Sequence, residues 1–262
     1  MKRISKCYIG LVLAFLYAPI VVLMVYSFNS SKSRAVWQGF TFDWYRDLFS
    51  NDVIMGSLYT TLLCGVLAAL VATVIGSMAA YGLGKNKKAK SALVLSVAYI
   101  PMLNAEIVTG VSLMLLFTLI GLDLGFFTML ISHITFCVPY VILAVLPKVR
   151  QLDWNLYDAA QDLGCTPVQS FWRIMFPELL PGIGTGFLLS LTMSIDDFII
   201  SFFTTGNGVS NLSITIYTMA KRGIKPEINA LSTIMFTVIL AILVIANVGA
   251  AKKDNKKRSM RI

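Results

Sequence analysis

The sequence predicts an all-α polytopic membrane protein with six transmembrane helices and a two-helix cytoplasmic loop, and three observations support this fold class. Of 262 residues, 57% are hydrophobic and only 13% are charged, whereas soluble domains contain about 25% charged residues. Six apolar runs are long enough to cross a bilayer, which takes roughly 20 residues. Lysine and arginine are concentrated on one side of these runs, as in membrane proteins of defined topology.

In chain order, the apolar runs define six predicted spans within a single membrane domain, residues 1–262. Backbone groups in lipid must be hydrogen-bonded within their own segment, so every run is predicted to be a helix. The third run exceeds the length that a bilayer requires, and Pro101 is expected either to kink it or to separate a short preceding helix from the span. The predicted spans are approximately 8–28, 57–83, 92–120, 126–147, 182–203 and 231–251.

The distribution of basic residues predicts that both termini are cytoplasmic. With that orientation, 16 of the 22 Lys and Arg residues fall in inner segments and 6 fall in outer segments. An excess of Lys and Arg on the cytoplasmic side is the usual topological signal. The formal net charge of +9 is therefore attributed to topology and to contact with the lipid bilayer, and not to nucleic-acid binding.

The longest inner loop, residues 148–181, is predicted to contain two short amphipathic helices. Gly164 is typical of a helix C-cap, and Thr166 followed by Pro167 is typical of an N-cap and a first helical position. Pro177 and Pro181 are expected to end the second helix before the fifth span. The apolar residues at helical spacing are Leu156, Ala159, Ala160 and Leu163 in the first helix and Val168, Phe171, Trp172 and Met175 in the second.

The polar residues of this loop favour a protein partner over a lipid surface. Amphipathic helices that lie on a membrane usually carry Lys and Arg on their polar face. The predicted pair carries Asp158, Asp162 and Glu178 against Arg173 alone. Docking to a protein is therefore the preferred interpretation, and a pair of helices lying on the membrane is the alternative.

The stretch DAAQDLGCTPVQSFWRIMFPELLPG, residues 158–182, resembles the EAA loop of ABC importer permeases, whose pattern is roughly EAAxxLGAxxxxxFxxIxLP. Asp158, Cys165 and Phe176 stand where the family has Glu, Ala and Leu; the first keeps the charge and the second is small. In that family this loop seats in a groove of an ATPase subunit, so residues 148–181 are called the coupling loop below. The resemblance implies ATPase-coupling roles for Asp158, Ala159, Ala160, Leu163, Gly164, Phe171, Ile174 and Pro177.

Other stretches extend the resemblance along essentially the whole chain. YAPIVVLMVYSFNSS, WQGFTFDWY, SHITFCVPYVI, SIDDFIISFFTTG and INALSTI are similar to the C permease subunits of spermidine/putrescine ABC importers. This resemblance implies a six-span permease of a bacterial inner membrane that works by alternating access. It also implies a partner permease subunit, two cytoplasmic ATPase subunits and an extracytoplasmic polyamine-binding protein.

Three carboxylates within the predicted spans are candidates for the substrate path, because an ionisable residue in a span is costly and often functional. They are Glu106 in the third span and Asp196 and Asp197 in the fifth. A polyamine, a chain of ammonium groups, suits spaced carboxylates with aromatic faces between them. The alternative is that the carboxylates cap a broken helix or bond to backbone amides. Asp196 and Asp197 lie on different helix faces, so at least one, but not both, is expected on the path.

The sequence predicts no catalytic residue, metal site or cofactor. It lacks a Walker A motif (G-x-x-x-x-G-K-[ST]), so ATP hydrolysis is expected in a separate subunit. Cys7, Cys64, Cys137 and Cys165 form no CxxC pair, which argues against a disulfide framework or a metal site. His133, the single histidine, is expected to be a hydrogen-bonded structural residue.

Two other transport functions are open alternatives. An ABC permease for another solute has the same architecture, although acidic residues in the spans argue against an anion. A stand-alone ion-coupled transporter would use the carboxylates to carry protons, but it leaves the coupling loop unexplained. A membrane-embedded enzyme is the least favoured class, because no nucleophile–base pair is recognisable.

Overall fold

Helices form all of the regular secondary structure in the computed structural model, which describes residues 2–31, 36–85, 89–222, 226–238 and 240. Within these ranges, extended pairing is limited to an isolated bridge between Asn29 and Phe40, so the all-α prediction is confirmed. The helices are α1 (Lys2–Tyr26), α2 (Asp43–Ser50), α3 (Asp52–Lys85), α4 (Ala89–Leu103), α5 (Glu106–Leu119), α6 (Phe126–Gln151), α7 (Trp154–Asp162), α8 (Pro167–Ser170), a π-helical segment (Phe171–Met175), α9 (Phe176–Asp196), α10 (Ile199–Thr204) and α11 (Leu212–Arg222), and residues 226–238 are also helical.

Four helical stretches in the described part of the chain are long and apolar enough to cross a membrane. They overlap the first, second, fourth and fifth predicted spans. The sixth predicted span, 231–251, lies largely outside the described residues, so the count of six spans stays a prediction. The four stretches are Tyr8–Tyr26, Asp52–Lys85, Phe126–Gln151 and Pro167–Asp196, and Glu106–Leu119 is a shorter apolar helix.

The third predicted span, 92–120, is interrupted between α4 and α5. Ala105 precedes the first residue of α5 with extended backbone angles (φ −60°, ψ 135°), which a continuous helix does not allow. Pro101 lies inside α4. Of the two expectations for this run, the separation of a preceding helix is therefore the one observed, with the break shortly after the proline.

The prolines before the fifth span do not end the preceding helix, and that prediction is wrong. The helical run is continuous from Pro167 to Asp196. The Phe176 N–H donates to the Phe171 carbonyl across a wide π-helical turn, and Pro177 follows in the first turn of α9. Proline has no N–H and crowds the preceding turn of a regular α-helix, and the wide turn directly before Pro177 lets the helix continue past it.

The fifth predicted span, 182–203, instead contains a break near its far end. α9 ends at Asp196, and Asp197 is extended (φ −62°, ψ 127°). The short helix α10 then begins at Ile199. The break leaves backbone groups without helical partners, and the side chains that bond them define the site described below.

The chain divides into two compact units, one formed by Met1–Met55 and Ile216–Ile262 and the other by Gly56–Thr215. In the first unit, the buried indole of Trp44 donates to the Asn29 carbonyl at 2.6 Å. The Asn51 amide of the same unit donates to the Glu227 carboxylate at 3.0 Å. These bonds hold the segment that follows α1.

In the second unit, α6 occupies the hydrophobic core, where its Val141, Val145 and Val149 are fully buried. α3 and α9 approach α6 at glycines. A Cβ at Gly76 would lie 2.6 Å from Val141 Cβ, and one at Gly186 would lie 3.1 Å from Val141 Cγ1. Glycine at such contacts lets membrane helices approach closely.

We expect Gly76→Val to destabilise the helix bundle, because its Cβ would overlap Val141 and force α3 away from α6. Overpacking of this kind costs roughly 1–3 kcal/mol. The measurement is the thermal midpoint of the detergent-solubilised protein. Gly82→Val is the matched control, since it makes the same change in the same helix where an added Cβ meets no atom within 4 Å. Equal midpoints for the two variants would contradict this packing.

Candidate functional site

Two regions of the second unit carry most of the residues that the sequence singled out. The first is the helix pair, defined here as residues 154–175, which comprises α7, the turn at Gly164, α8 and the π-helical segment. Gly164 has φ +91°, and the Cys165 N–H donates to the Ala160 carbonyl at 3.0 Å. A left-handed glycine with such a bond closes a helix C-terminus, so the predicted cap at Gly164 is confirmed.

Both helices of the pair have side-chain caps at their N-termini. The Asp153 carboxylate accepts from the Asn155 N–H at 3.0 Å. At α8, the Thr166 hydroxyl accepts from the Gln169 N–H, and the Gln169 side-chain carbonyl accepts from the Thr166 N–H at 3.1 Å. This reciprocal capping box satisfies two N–H groups that the helix leaves unpaired. The predicted start of the second helix at Thr166 and Pro167 is confirmed.

The apolar residues of the helix pair do not share one face. Leu163 is 87% exposed, Val168 66% and Trp172 56%. Ala160 and Met175 are buried instead, and Phe171 is half-buried against the core. The sequence predicted an apolar face on each helix, and the structure divides those apolar residues: one set anchors the pair, and another set is presented outwards.

Of the eight predicted coupling residues, five lie on the exposed side of the segment and three anchor it. The exposed Asp158 and Asp162 stand beside the exposed Leu163. Exposed apolar side chains next to carboxylates form a surface suited to a protein partner. The exposed ones are Asp158, Ala159, Leu163, Gly164 and Pro177, whereas Ala160 is buried and Phe171 and Ile174 are half-buried.

The family resemblance implied no coupling role for Val168 and Trp172, although both side chains are part of this exposed surface. They lie four positions apart, and so do the inward-facing Phe171 and Met175. Helical spacing identifies each pair as neighbours on one face. It does not show which of the two faces meets the core.

The second region is the break between α9 and α10, where Asp197 caps the new helix. Its carboxylate accepts from the Ile200 N–H at 3.1 Å and from the Ser201 N–H and hydroxyl, both at 2.8 Å. The Asn211 side chain donates to the Asp197 carbonyl at 3.2 Å. Asp197 is buried, and a carboxylate at a helix N-terminus is stabilised by the exposed N–H groups there.

His133 on α6 bridges the two sides of this break. Its Nδ1 lies 2.6 Å from the Ser194 hydroxyl on α9, and its Nε2 lies 2.8 Å from the Ser201 hydroxyl on α10. The same Nε2 is 3.4 Å from an Asp197 carboxylate oxygen. The ring is only 2% exposed. Both ring nitrogens are hydrogen-bonded, in agreement with the structural role expected for this residue.

Glu106 and Asp196 adjoin the breaks but do not enter this network. Glu106 is the first residue of α5, directly after the α4–α5 break, and Asp196 is the last residue of α9. Both side chains are exposed in this chain. The helices that carry them, α5 and α9, are both connected to α10. α10 follows α9 in the chain, and α5 packs against α10 at Gly110, where a Cβ would lie 3.4 Å from Ile200 Cα.

The adjacent aspartates therefore differ in environment. Asp197 has its oxygens occupied by the α10 cap, whereas Asp196 is exposed. Among the described residues, no three His, Cys, Asp or Glu side chains come together as a metal site. What the break can do chemically is to hold an exposed carboxylate at a helix C-terminus, where the backbone dipole also favours a cation.

The chain is similar in sequence to known transport proteins over most of its length. The chain matches the family model described as "Binding-protein-dependent transport system inner membrane component" over residues 72–253. It is 38% identical to the spermidine/putrescine transport system permease protein PotC of Escherichia coli K12, over 92% of this chain and 91% of the relative. PotC of Haemophilus influenzae is 34% identical over 96% of this chain and 98% of the relative. The putrescine transport system permease protein PotI of Escherichia coli K12 is 36% identical over 86% and 83% of the two chains.

Solved structures with similar folds include bacterial ABC transporters of alginate. A transporter that imports the acidic polysaccharide alginate matches with a TM-score of 0.71 and 14% identity over 94% of each chain. An alginate ABC transporter in complex with its pentasaccharide-bound periplasmic protein matches with a TM-score of 0.68 and 20% identity over 93% of each chain. At these identities the likeness shows a shared fold.

We expect Asp197→Ala to lower the stability of the protein by roughly 1–3 kcal/mol, because it leaves buried N–H donors at the start of α10 without a partner. The thermal midpoint in detergent measures the effect. Asp196→Ala, one residue away and exposed, serves as the control and should change the midpoint little. If Asp196→Ala were as damaging as Asp197→Ala, the capping role would be refuted.

Proposed function

This chain belongs to the binding-protein-dependent transport system inner membrane component family, and on that premise we propose that it is a permease subunit of an ATP-driven polyamine importer. It is a bacterial membrane protein built of helices. The observation that carries the substrate class is its 34–38% identity, over most of the chain, to permeases named for spermidine and putrescine.

The fold leaves the substrate open, since an importer of a polyanionic polysaccharide has the same fold. The residues at the breaks favour a cation. Glu106 and Asp196 are exposed carboxylates beside helix ends, and they suit the ammonium groups of a polyamine better than an anion. An ABC permease for another cationic or neutral solute is the second candidate, favoured only if polyamines prove not to be transported.

We propose different roles for the three carboxylates of the path. Glu106 and Asp196 bind ammonium groups directly. Asp197 does not bind the substrate; it caps α10 and so fixes the geometry of the break. The C-terminal end of α9 adds partial negative charge next to Asp196, which strengthens its attraction for a cation at little extra desolvation cost.

The helix pair is the proposed attachment point of an ATPase subunit. Its outward face combines the exposed Leu163, Val168 and Trp172 with Asp158 and Asp162. The remaining machinery would comprise a partner permease, two cytoplasmic ATPase subunits and an extracytoplasmic polyamine-binding protein. ATP hydrolysis would then occur outside this chain, and both termini would be cytoplasmic. A stand-alone ion-coupled transporter needs no ATPase subunit, so that alternative leaves the outward face unexplained.

Neutralising either exposed carboxylate should weaken polyamine uptake. For Glu106→Gln and Asp196→Asn we expect the KM for spermidine uptake to rise about tenfold, the equivalent of one lost charge contact of ~1.4 kcal/mol. The assay is uptake of labelled spermidine by vesicles containing the complete complex, with ATP and without a proton gradient. Asp123→Asn, an exposed carboxylate in the α5–α6 connection, is the control. Unchanged uptake in both variants would remove these residues from the path.

The outward face can be tested by adding a charge at its most exposed leucine. Leu163→Glu should abolish co-purification of the ATPase subunit without affecting thermal stability, because Leu163 makes little contact with its own chain. Leu163→Met keeps the apolar character and should retain binding. Full co-purification of the ATPase with Leu163→Glu would exclude this face as the attachment site.

A further inference from the structure

The helix pair is attached to the end of α3 by a cluster of aromatic rings. The Tyr81 ring of α3 lies 5.8 Å from Trp154 at the start of α7 and 5.2 Å from Phe171 of the π-helical segment. One side chain thus contacts both helical parts of the pair. Aromatic pairs at these separations contribute attraction beyond the burial of their surface.

Lys85 adds a second attachment one helical turn further along α3. Its ammonium group lies 5.8 Å from the centroid of the Trp154 ring and 5.9 Å from that of Tyr157. These separations are within the range of cation–π attraction.

The same end of α3 also packs closely against α6. A Cβ on Gly84 would overlap Val149 of α6, so the two helices are in close contact there. Tyr81, Trp154, Tyr157 and Phe171 are partly buried against the same hydrophobic core. The aromatic cluster is therefore a packed joint and not a chance approach of surface side chains.

Further towards its N-terminus, α3 reaches the break that contains Asp196 and Asp197. A Cβ at Gly65 would lie 3.1 Å from Ile195 Cγ1, directly before Asp196, and the Thr61 hydroxyl accepts from the Leu212 N–H at 2.7 Å. Gly65 and Tyr81 are 16 residues apart on one continuous helix, roughly 24 Å at 1.5 Å per residue. α3 thus connects the helix pair to the neighbourhood of the break.

We propose that Tyr81 and Lys85 are positioning residues that make α3 move together with the helix pair. The pair is already continuous with α9, which leads to Asp196. The joint gives it a second rigid connection, so α3 and α9 would shift together and keep the Gly65–Ile195 contact at the break. This inference rests on the proposed function, since the force that moves the pair would come from an ATPase subunit.

The decisive measurement is the distance between α3 and α7, obtained by double electron–electron resonance. Spin labels are placed at Met78→Cys and Asn155→Cys, both exposed positions, after replacement of the native cysteines. The parent chain should give one narrow distance distribution that does not change when the complex binds ATP. Lys85→Met and Tyr81→Leu should each broaden it. Arg150→Met, which removes another exposed positive charge near the end of α6, should leave it narrow.

Transport by the same variants supplies the functional readout. We expect Lys85→Met and Tyr81→Leu to reduce uptake per ATP hydrolysed about fivefold while the ATPase subunit still co-purifies. Trp154→Phe, which keeps a ring at the joint, should retain more uptake than Trp154→Leu. Because Lys85 is exposed, Lys85→Met should still fold if Tyr81→Leu does not.

Two results would overturn the inference. A narrow distribution with normal coupling in Lys85→Met and Tyr81→Leu would show that the joint does not unite the two helices. Loss of ATPase co-purification in these variants would assign the cluster to docking. Failure of the proposed function is distinguishable: an unmutated complex that transports no polyamine would refute the substrate, whereas the label distances in the isolated chain would still differ between parent and variants.

Discussion

In hydrocarbon there is no water to bond a free N–H or C=O group, and each unsatisfied group costs several kcal/mol. This constraint applies to the interruption between α9 and α10, because that interruption lies within the fifth predicted span. The helix can stop at Asp196 because the Asp197 carboxylate takes over the N–H groups of α10, and Asn211 bonds the Asp197 carbonyl. His133 then bonds a serine on each side of the gap. The broken helix exists because these side chains replace the missing backbone bonds.

The same constraint gives different roles to the adjacent side chains of Asp196 and Asp197. Asp197 is occupied by its capping bonds and is buried, and this frees Asp196 to be exposed at the end of α9. A carboxylate has about four acceptor sites, and that of Asp197 already accepts three hydrogen bonds and lies 3.4 Å from His133 Nε2. The paired acids therefore combine a structural carboxylate with a displayed one. In the proposed importer, the first holds the shape of the path and the second supplies its charge.

The helix pair precedes α9 in the chain, and its apolar residues are divided between two roles. Some of these residues pack the pair against the membrane helices, and the others form the surface proposed to contact a partner. Phe171 and Met175 face the core together with Tyr81 and Trp154, while Leu163, Val168 and Trp172 point away. The π-helical turn before Pro177 keeps the pair continuous with α9. A displacement of the pair would therefore act on α9 directly and on α3 through the aromatic joint.

The sequence by itself determined the features that depend on residues close together in the chain. Apolar runs defined helices that overlap four of the six predicted spans, Gly164 and Thr166 marked the turn of the helix pair, and the similarity of the chain to known permeases established its family. Local pattern was not enough for Pro177 and Pro181, because a wide turn directly before the first of them accommodated it.

The tertiary structure alone decided which member of each near-identical pair faces inwards. Asp197 is buried and Asp196 exposed because the partners of Asp197 include His133, 64 positions earlier in the chain. Phe171 faces inwards and Val168 outwards because Tyr81 of α3 fills the space beside Phe171. Helical periodicity places residues on faces, but only packing between distant segments determines which face is covered.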